Sequence, residues 1–209
     1  MKILDISWPL CKETVAYNDK KKIAFEKEKK YDRDDIRFTR IRIGTHDGTH
    51  VDAPAHFIKD GKTVDKIPLS SVIGDCIVLD MTHVGDKITS EHLAKFPIEE
   101  GDIVLLKTTN SELEDMGNFN KGFIFLGDTG AHYLVEKKVK AVGIDYLGIE
   151  RGQKDRPTHM ELFKNNITII EGLRLKTAKQ GGYFLCCLPI DVVGLEAAPA
   201  RAILIEGEQ

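Results

Sequence analysis

Between positions 46 and 56 the chain reads HDGTHVDAPAH, placing three histidines and two aspartates within eleven residues. Imidazole nitrogen and carboxylate oxygen are donors that zinc and manganese both accept. His46 and His50 are four residues apart, Asp52 follows two further on, and His56 four beyond that. Gly44, Gly48 and Ala53 let the backbone curl so that several side chains converge on one point. Pro54 stiffens the exit from that curl. A lone histidine in such a stretch would satisfy a backbone group, but a tight cluster of His and Asp is the usual mark of a metal site. Asp47 is read as a turn residue instead. A divalent ion held here would acidify water and polarise a carbonyl, which is the chemistry of metal-assisted hydrolysis.

Such a cluster needs a rigid support. The stretch is too polar for a core strand, and Gly48 and Pro54 exclude a helix, so the expectation is a loop leaving the strand IRFTRIRI. In that strand Arg40 and Arg42 alternate with Ile41 and Ile43, the pattern of a sheet with one buried face. Further short apolar runs, KILDISW, CIVLD, IVLLK, FIFL, AVGID, ITII, YFLCCLPI and RAILI, each have strand length and are bounded by Gly, Asp, Asn or Pro. Helices are fewer. TSEHLAKF starts at Thr89 or Ser90 as N-cap, and Asp128 or Thr129 caps a helix with the stripe Ala131, Leu134, Val135 and Val139. Thr158 and Glu161 form a capping-box pattern that opens a short helix. Helices falling between strands make the class α/β. No repeat or linker divides the 209 residues, so residues 1–209 are read as a single domain.

Composition excludes several function classes. Hydrophobic residues make up 42% and charged residues 30%, and the net charge is -3, so nothing draws the chain to nucleic acid or an anionic membrane surface. The tract Asp19 to Asp35 is charged but mixed in sign, which predicts a solvated hairpin or loop. The N-terminal MKILDISWPL lacks the pattern of a signal peptide, and no window has the length of a membrane span; the expected location is the cytoplasm. Cys11, Cys76, Cys186 and Cys187 form no CxxC pair and are read as free thiols, with Cys186 and Cys187 on opposite faces of one strand. His83, His92 and His132 have no ligand-like company and are read as surface residues.

The stretch resembles the signature His-x-Gly-Thr-His-x-Asp-x-Pro-x-His of the cyclase superfamily, which includes bacterial kynurenine formamidase and isatin hydrolase; all seven fixed positions match. ILDISWPL, VEKKVKAVGID, the pair His159 and Glu171, and LPIDVVGLEAAPARAIL are similar to the family pattern in the same order. The resemblance implies a swivelling β/β/α fold, a homodimer and a pair of zinc ions, with manganese as the other candidate. It assigns His46, His50 and Asp52 to one ion, and Asp52 with His159 and Glu171 to the second. His56 becomes the general acid/base. By themselves His159 also reads as an exposed first-turn residue, and Glu171 as a strand end or a ligand.

The implied reaction is hydrolysis of an amide, as in N-formylkynurenine, for a small-molecule substrate. A lactam- or lactone-opening hydrolase with one manganese, of the isatin hydrolase kind, and a metal-binding protein without turnover are the alternatives. Where formamidases carry Trp-Pro-Gly this chain has Tyr17-Asn18-Asp19, and after GID it reads Tyr146-Leu147-Gly148 in place of Ala-Pro-Ser. Both departures fall where substrate would be touched. Tyr17 is therefore the candidate substrate contact, and Tyr17 and Trp8 are each read either as an aromatic wall or as core.

Overall fold

The computed structural model describes residues 1–20 and 23–206. Its strands are β1 (Lys2–Asp5), β2 (Ala24–Lys29), β3 (Phe38–Arg42), β4 (His50–Asp52), β5 (Ile73–Asp80), β6 (Lys87–Ile88), β7 (Ile103–Lys107), β8 (Phe125–Leu126), β9 (Ala141–Ile144), β10 (Thr168–Glu171), β11 (Gly181–Pro189) and β12 (Ala197–Glu206). The α-helices among the described residues are short: α1 (Tyr31–Asp34), α2 (Ser90–Leu93), α3 (Asp128–Glu136) and α4 (Pro157–Lys164). The class is mixed α/β with strands dominant, as the apolar runs implied.

Eight strands form one sheet in the order β1-β12-β11-β5-β7-β9-β10-β4. Strand β4 also pairs with the start of β12, so the sheet closes on itself. Strands β5, β7, β9 and β10 run parallel, and the other pairings of this sheet are antiparallel. The two-residue period of a strand divides the core. In β7, Ile103 and Leu105 face an interior cluster with Val51, Val78, Ile170 and Leu204. Val104 and Leu106 face the other side, where Ala131 and Leu134 of α3 and Leu162 and Phe163 of α4 pack. Each fully buried Leu or Ile contributes about 1.5–3 kcal/mol of transfer free energy, so these layers hold the central strands rigidly.

The structure corrects the sequence reading at four places, among them the N-cap of α3, which is Gly127 and not Asp128 or Thr129. The middle of the polar stretch is a core strand after all, for His50, Val51 and Asp52 of β4 are all buried and hydrogen-bonded between β10 and β12. Strand β3 has no buried face. Among the described residues it pairs only with β2, in a solvated hairpin, and Ile41 is 59% exposed. The hairpin accounts for the charged tract, of which residues 21 and 22 lie outside the described residues. FIFL contributes only Phe125 and Leu126, paired with β6 in a separate small sheet. Helix α3 begins at Asp128 with Gly127 as N-cap, and Thr89 caps α2. The four cysteines are free, with Cys187 buried and Cys186 partly so. No helix among the described residues is long and apolar enough to cross a membrane.

Candidate metal centre

The structure brings His46, His50, Asp52, His56, His159 and Glu171 to one place. Strand β4 supplies His50 and Asp52, two residues apart and hence on the same face. Its neighbour β10 supplies Glu171, which is registered directly across from His50. His46 lies in the turn just before β4, and His159 in the first turn of α4. The turn and β10 meet closely. Gly48 has φ +66°, and Gly172 has φ +69° with its backbone so near that a Cβ would sit 2.2 Å from the Gly48 carbonyl oxygen. Only glycine fits there. Thr49 ties the turn down, accepting from the Trp8 N–H at 2.7 Å and donating to the Gly172 carbonyl at 2.6 Å.

Two triads emerge. Donor atoms of His46, His50 and Asp52 lie within 4.8 Å of one another, as do those of Asp52, His159 and Glu171. Asp52 belongs to both. Its Oδ1 is 2.9 Å from His46 Nδ1 and 3.4 Å from His50 Nε2, and its Oδ2 is 4.0 Å from His159 Nε2. Despite these approaches, both Asp52 oxygens and His50 Nε2 are buried without a hydrogen-bond partner. Buried polar atoms are seldom left unpaired, since each costs about 1–3 kcal/mol. Divalent ions fit this donor set: they would turn close, unbonded oxygens and nitrogens into shared ligands.

The supporting contacts aim these donors. His50 Nδ1 donates to the Gly48 carbonyl at 2.9 Å, leaving Nε2 directed at Asp52 and Glu171. His159 Nδ1 donates to Glu150 Oε2 at 2.9 Å, which leaves Nε2 facing Glu171 Oε1 at 3.4 Å. Glu171 Oε1 accepts from the Ile149 N–H at 2.6 Å. Glu196 sits 3.4 Å from His46 Nε2 and accepts from the Thr45 hydroxyl at 2.6 Å. Carboxylate or carbonyl partners of this kind set the tautomer and direction of a ligand histidine.

Electrostatics follow from burial among charges. Burial alone would lower the pKa of His50, but the charges of Asp52 and Glu171 outweigh it and raise it to about 9. His159 reaches about 9 in the same way, through Glu150 and Glu171. Glu171, which burial would push up, is held well below the usual carboxylate range by His159 and His50. His56 differs. Burial pushes it down to about 4, Asp52 pulls the other way, and neighbouring His46 adds to the lowering. Its ring centroid is 4.3 Å from that of His46, 6.1 Å from His159 and 3.8 Å from Phe57. Burial and the neighbouring imidazoles thus favour the neutral form of His56 beside the cluster.

His46, His56, His159 and Glu171 form the floor of a cleft of about 470 Å³, with His50 and Asp52 buried beyond the residues that line it. Tyr17, Phe57, Leu147 and Gly148 contribute walls, and Lys20 and Arg156 stand at the rim. Of the two departures from the formamidase pattern, Tyr17, Leu147 and Gly148 reach the cleft. Tyr146 is core and not the substrate-facing residue expected, with its hydroxyl accepting from the Asn120 N–H at 2.7 Å; Trp8 is 2% exposed, which fits its core reading. Asp47 is a turn residue as read, accepting from the Gly44 N–H at 2.6 Å.

Sequence reasoning missed Glu150. It also misread the start of α4: Thr158 donates to the Leu126 carbonyl and Glu161 lies 3.2 Å from His132, so no capping box forms. Glu150 does that work from outside the helix, with Oε2 accepting the His159 N–H at 2.9 Å. The one available signal was its position six residues after the buried strand AVGI.

Comparisons with known proteins agree with this architecture. Residues 4–151 match the family model "Putative cyclase", and the chain belongs to that family. It is 35% identical over 177 residues to "Cyclase-like protein 3" of Oryza sativa subsp. japonica, covering 80% of this chain and 65% of that relative, so it spans just under two thirds of the rice protein. "Kynurenine formamidase" of Salinibacter ruber is 29% identical over 207 residues, with 98% and 97% of the two chains covered. A solved structure described as a potential metal-dependent hydrolase with cyclase activity superposes with a TM-score of 0.89 at 41% identity, over 100% of this chain and 99% of that one.

Proposed function

We propose that this chain is a metal-dependent hydrolase that cleaves a non-peptide amide of a small molecule, in the manner of an arylformamidase. The observation that carries the reading is the shared, buried, unpartnered Asp52 carboxylate between two ligand triads, with a neutral histidine beside it. The nitrogen- and oxygen-rich donor set suits two zinc ions, with manganese also matched to it. His46, His50 and Asp52 would hold one, and Asp52, His159 and Glu171 the other. When bound, such ions lower the pKa of water to about 7 and polarise a carbonyl.

The protein's own residues do the rest. The cleft walls, Tyr17, Phe57 and Leu147, hold a flat apolar group and exclude water around it. His56 accepts a proton as water adds to the carbonyl carbon. It returns that proton to the amide nitrogen as the C–N bond breaks, giving a carboxylic acid and an amine. A proton carrier in this position contributes about 10²–10⁴-fold to the rate. Glu150 and the Gly48 carbonyl keep His159 and His50 in one tautomer throughout.

The test is elemental analysis of the purified protein paired with an N-formylkynurenine hydrolysis assay. Two ions per chain and turnover are the expected result. One ion per chain, with opening of a lactam or lactone instead, would replace the amidase reading with the isatin hydrolase kind. Ions without turnover on formanilides, lactams and lactones would leave a metal-binding protein only.

A further inference from the structure

The two triads share Asp52, but the side chains they add to it are held differently. His50 and Asp52 stand on β4 and Glu171 on β10, where sheet hydrogen bonds fix the backbone, and His159 stands in α4. His46 alone of the five lies in a turn. Its side chain is 28% exposed, against 9% for His159 and 6% or less for His50, Asp52 and Glu171.

The carboxylates behind His159 and His46 differ in the same sense. Glu150 is 4% exposed, and its Oε2 accepts from both the backbone N–H and Nδ1 of His159, each at 2.9 Å. Glu196 is 37% exposed, and its Oε1 meets His46 at 3.4 Å through Nε2, the ring nitrogen that does not face Asp52. Thr45 donates to the same Oε1 at 2.6 Å, and the Ala53 N–H donates to the Glu196 carbonyl at 2.8 Å. The backbone of Glu196 is therefore anchored just before β12, and Thr45 holds its carboxylate against His46. A charge that water reaches is screened, so this brace is weaker than the buried one on His159.

A bound ion leaves only after one of its ligands lets go, and a part-exposed side chain on a turn lets go more readily than one packed in a strand or helix. We infer that the two triads release their ions unequally: the His46 triad gives up its ion first, and Glu196 is the positioning residue that sets how firmly it is held. This rests on the two-ion reading of the site and goes beyond it by making one ion exchangeable. The His56 ring lies nearer to His46, at 4.3 Å between centroids, than to His159, at 6.1 Å. The proton carrier thus borders the exchangeable side, and hydrolysis follows the supply of free divalent ion.

The experiment mixes zinc-loaded protein with an excess of a chromogenic pyridylazo chelator and counts the ions released per chain over time. Two phases of one ion each are expected, separated by about tenfold or more in rate. Glu196→Gln keeps the side-chain shape and should speed the fast phase about 10- to 100-fold, the usual loss of metal affinity when such a partner is removed, with the slow phase unchanged. Thr45→Val frees the carboxylate without removing it and should speed the same phase less. His46→Ala should bind a single ion that leaves at the slow rate of the unaltered protein. Two ions leaving in one phase overturn the inference while the two-ion centre stands. So does a Glu196→Gln protein whose phases are both unchanged, or both equally faster as a general loosening of the fold would make them. If only one ion binds at saturating zinc, the two-ion reading fails and the inference with it. N-formylkynurenine turnover, followed during release, should fall with the fast phase, and a fall only with the slow phase overturns the link to ion supply. Fully loaded protein without turnover sinks the hydrolase reading and leaves the order of release standing.

Discussion

The floor and the rim of the cleft are built on different principles. The floor rests on β4 and β10, central strands whose donors are buried and aimed by backbone hydrogen bonds. The rim rests on two left-handed turns and is solvent-exposed, with Tyr17 41% accessible. A buried floor cannot change without leaving a charged group unpaired, which is expensive. An exposed rim can change residue by residue. On the proposed reading, chemistry is placed where the fold is stiff, and choice of substrate where it is adaptable.

Breaking the floor should have the largest consequences. Asp52→Asn takes the shared carboxylate from both triads, and the expected outcome is loss of bound metal and of hydrolysis together, read by elemental analysis and assay. Full metal content with activity retained would dissolve the proposed pairing of the two triads. Next in size, His56→Ala should cost about 10²–10⁴-fold in kcat while metal content stays at the wild-type level. Near-normal turnover would move the proton transfer to another group.

Glu150→Gln tests the support behind the floor. It keeps the shape but weakens the hold on His159, and about 10- to 100-fold is expected in metal affinity or activity. In the wall just below the rim, Gly148→Ala would place a methyl 3.2 Å from Phe123, 3.3 Å from the Glu150 carbonyl oxygen and 3.4 Å from Tyr17, tightening the wall. Its expected effect is on KM, by less than about tenfold, with metal content unchanged. An equal fall in metal content would show that floor and rim are not separate.

Proton linkage adds a milder probe of the floor. With the ions stripped by a chelator, His50 and His159 have pKa values of about 9, above the ordinary histidine value of 6.5. Raised pKa values stabilise the stripped protein fully below pH 6.5, and that contribution is lost as pH rises through about 9. Ligand histidines must be neutral, so metal uptake releases these protons, and apparent metal affinity should rise from pH 6 towards 9. Titrations in buffers of different ionisation enthalpy count the protons. No release at pH 7 would mean that these histidines are neutral before the metal arrives.

The floor was largely legible from residue types because ligand chemistry leaves few substitutes: His46, His50, Asp52 and His56 stand in one short signature. What misled was the environment of that signature. Polarity argued against a core strand, yet β4 is one, since its polar groups face each other and not an apolar core. Glu150 was invisible because a lone glutamate after a strand carries no pattern; only the approach of α4 gives it a partner. The RIRI alternation predicted a half-buried strand, but alternation reports what a strand could bury, and β3 finds only β2 beside it.

By itself, the sequence determined the strand-rich α/β class, most of the strand positions and the residue types of the His/Asp cluster, because these follow from side-chain chemistry and short-range periodicity. Tertiary structure alone decided that β4 closes the sheet between β10 and β12, that Asp52 is common to both triads, and that Arg156 overlooks Phe57. Those facts depend on residues about a hundred or more positions apart meeting, and no local pattern records such meetings.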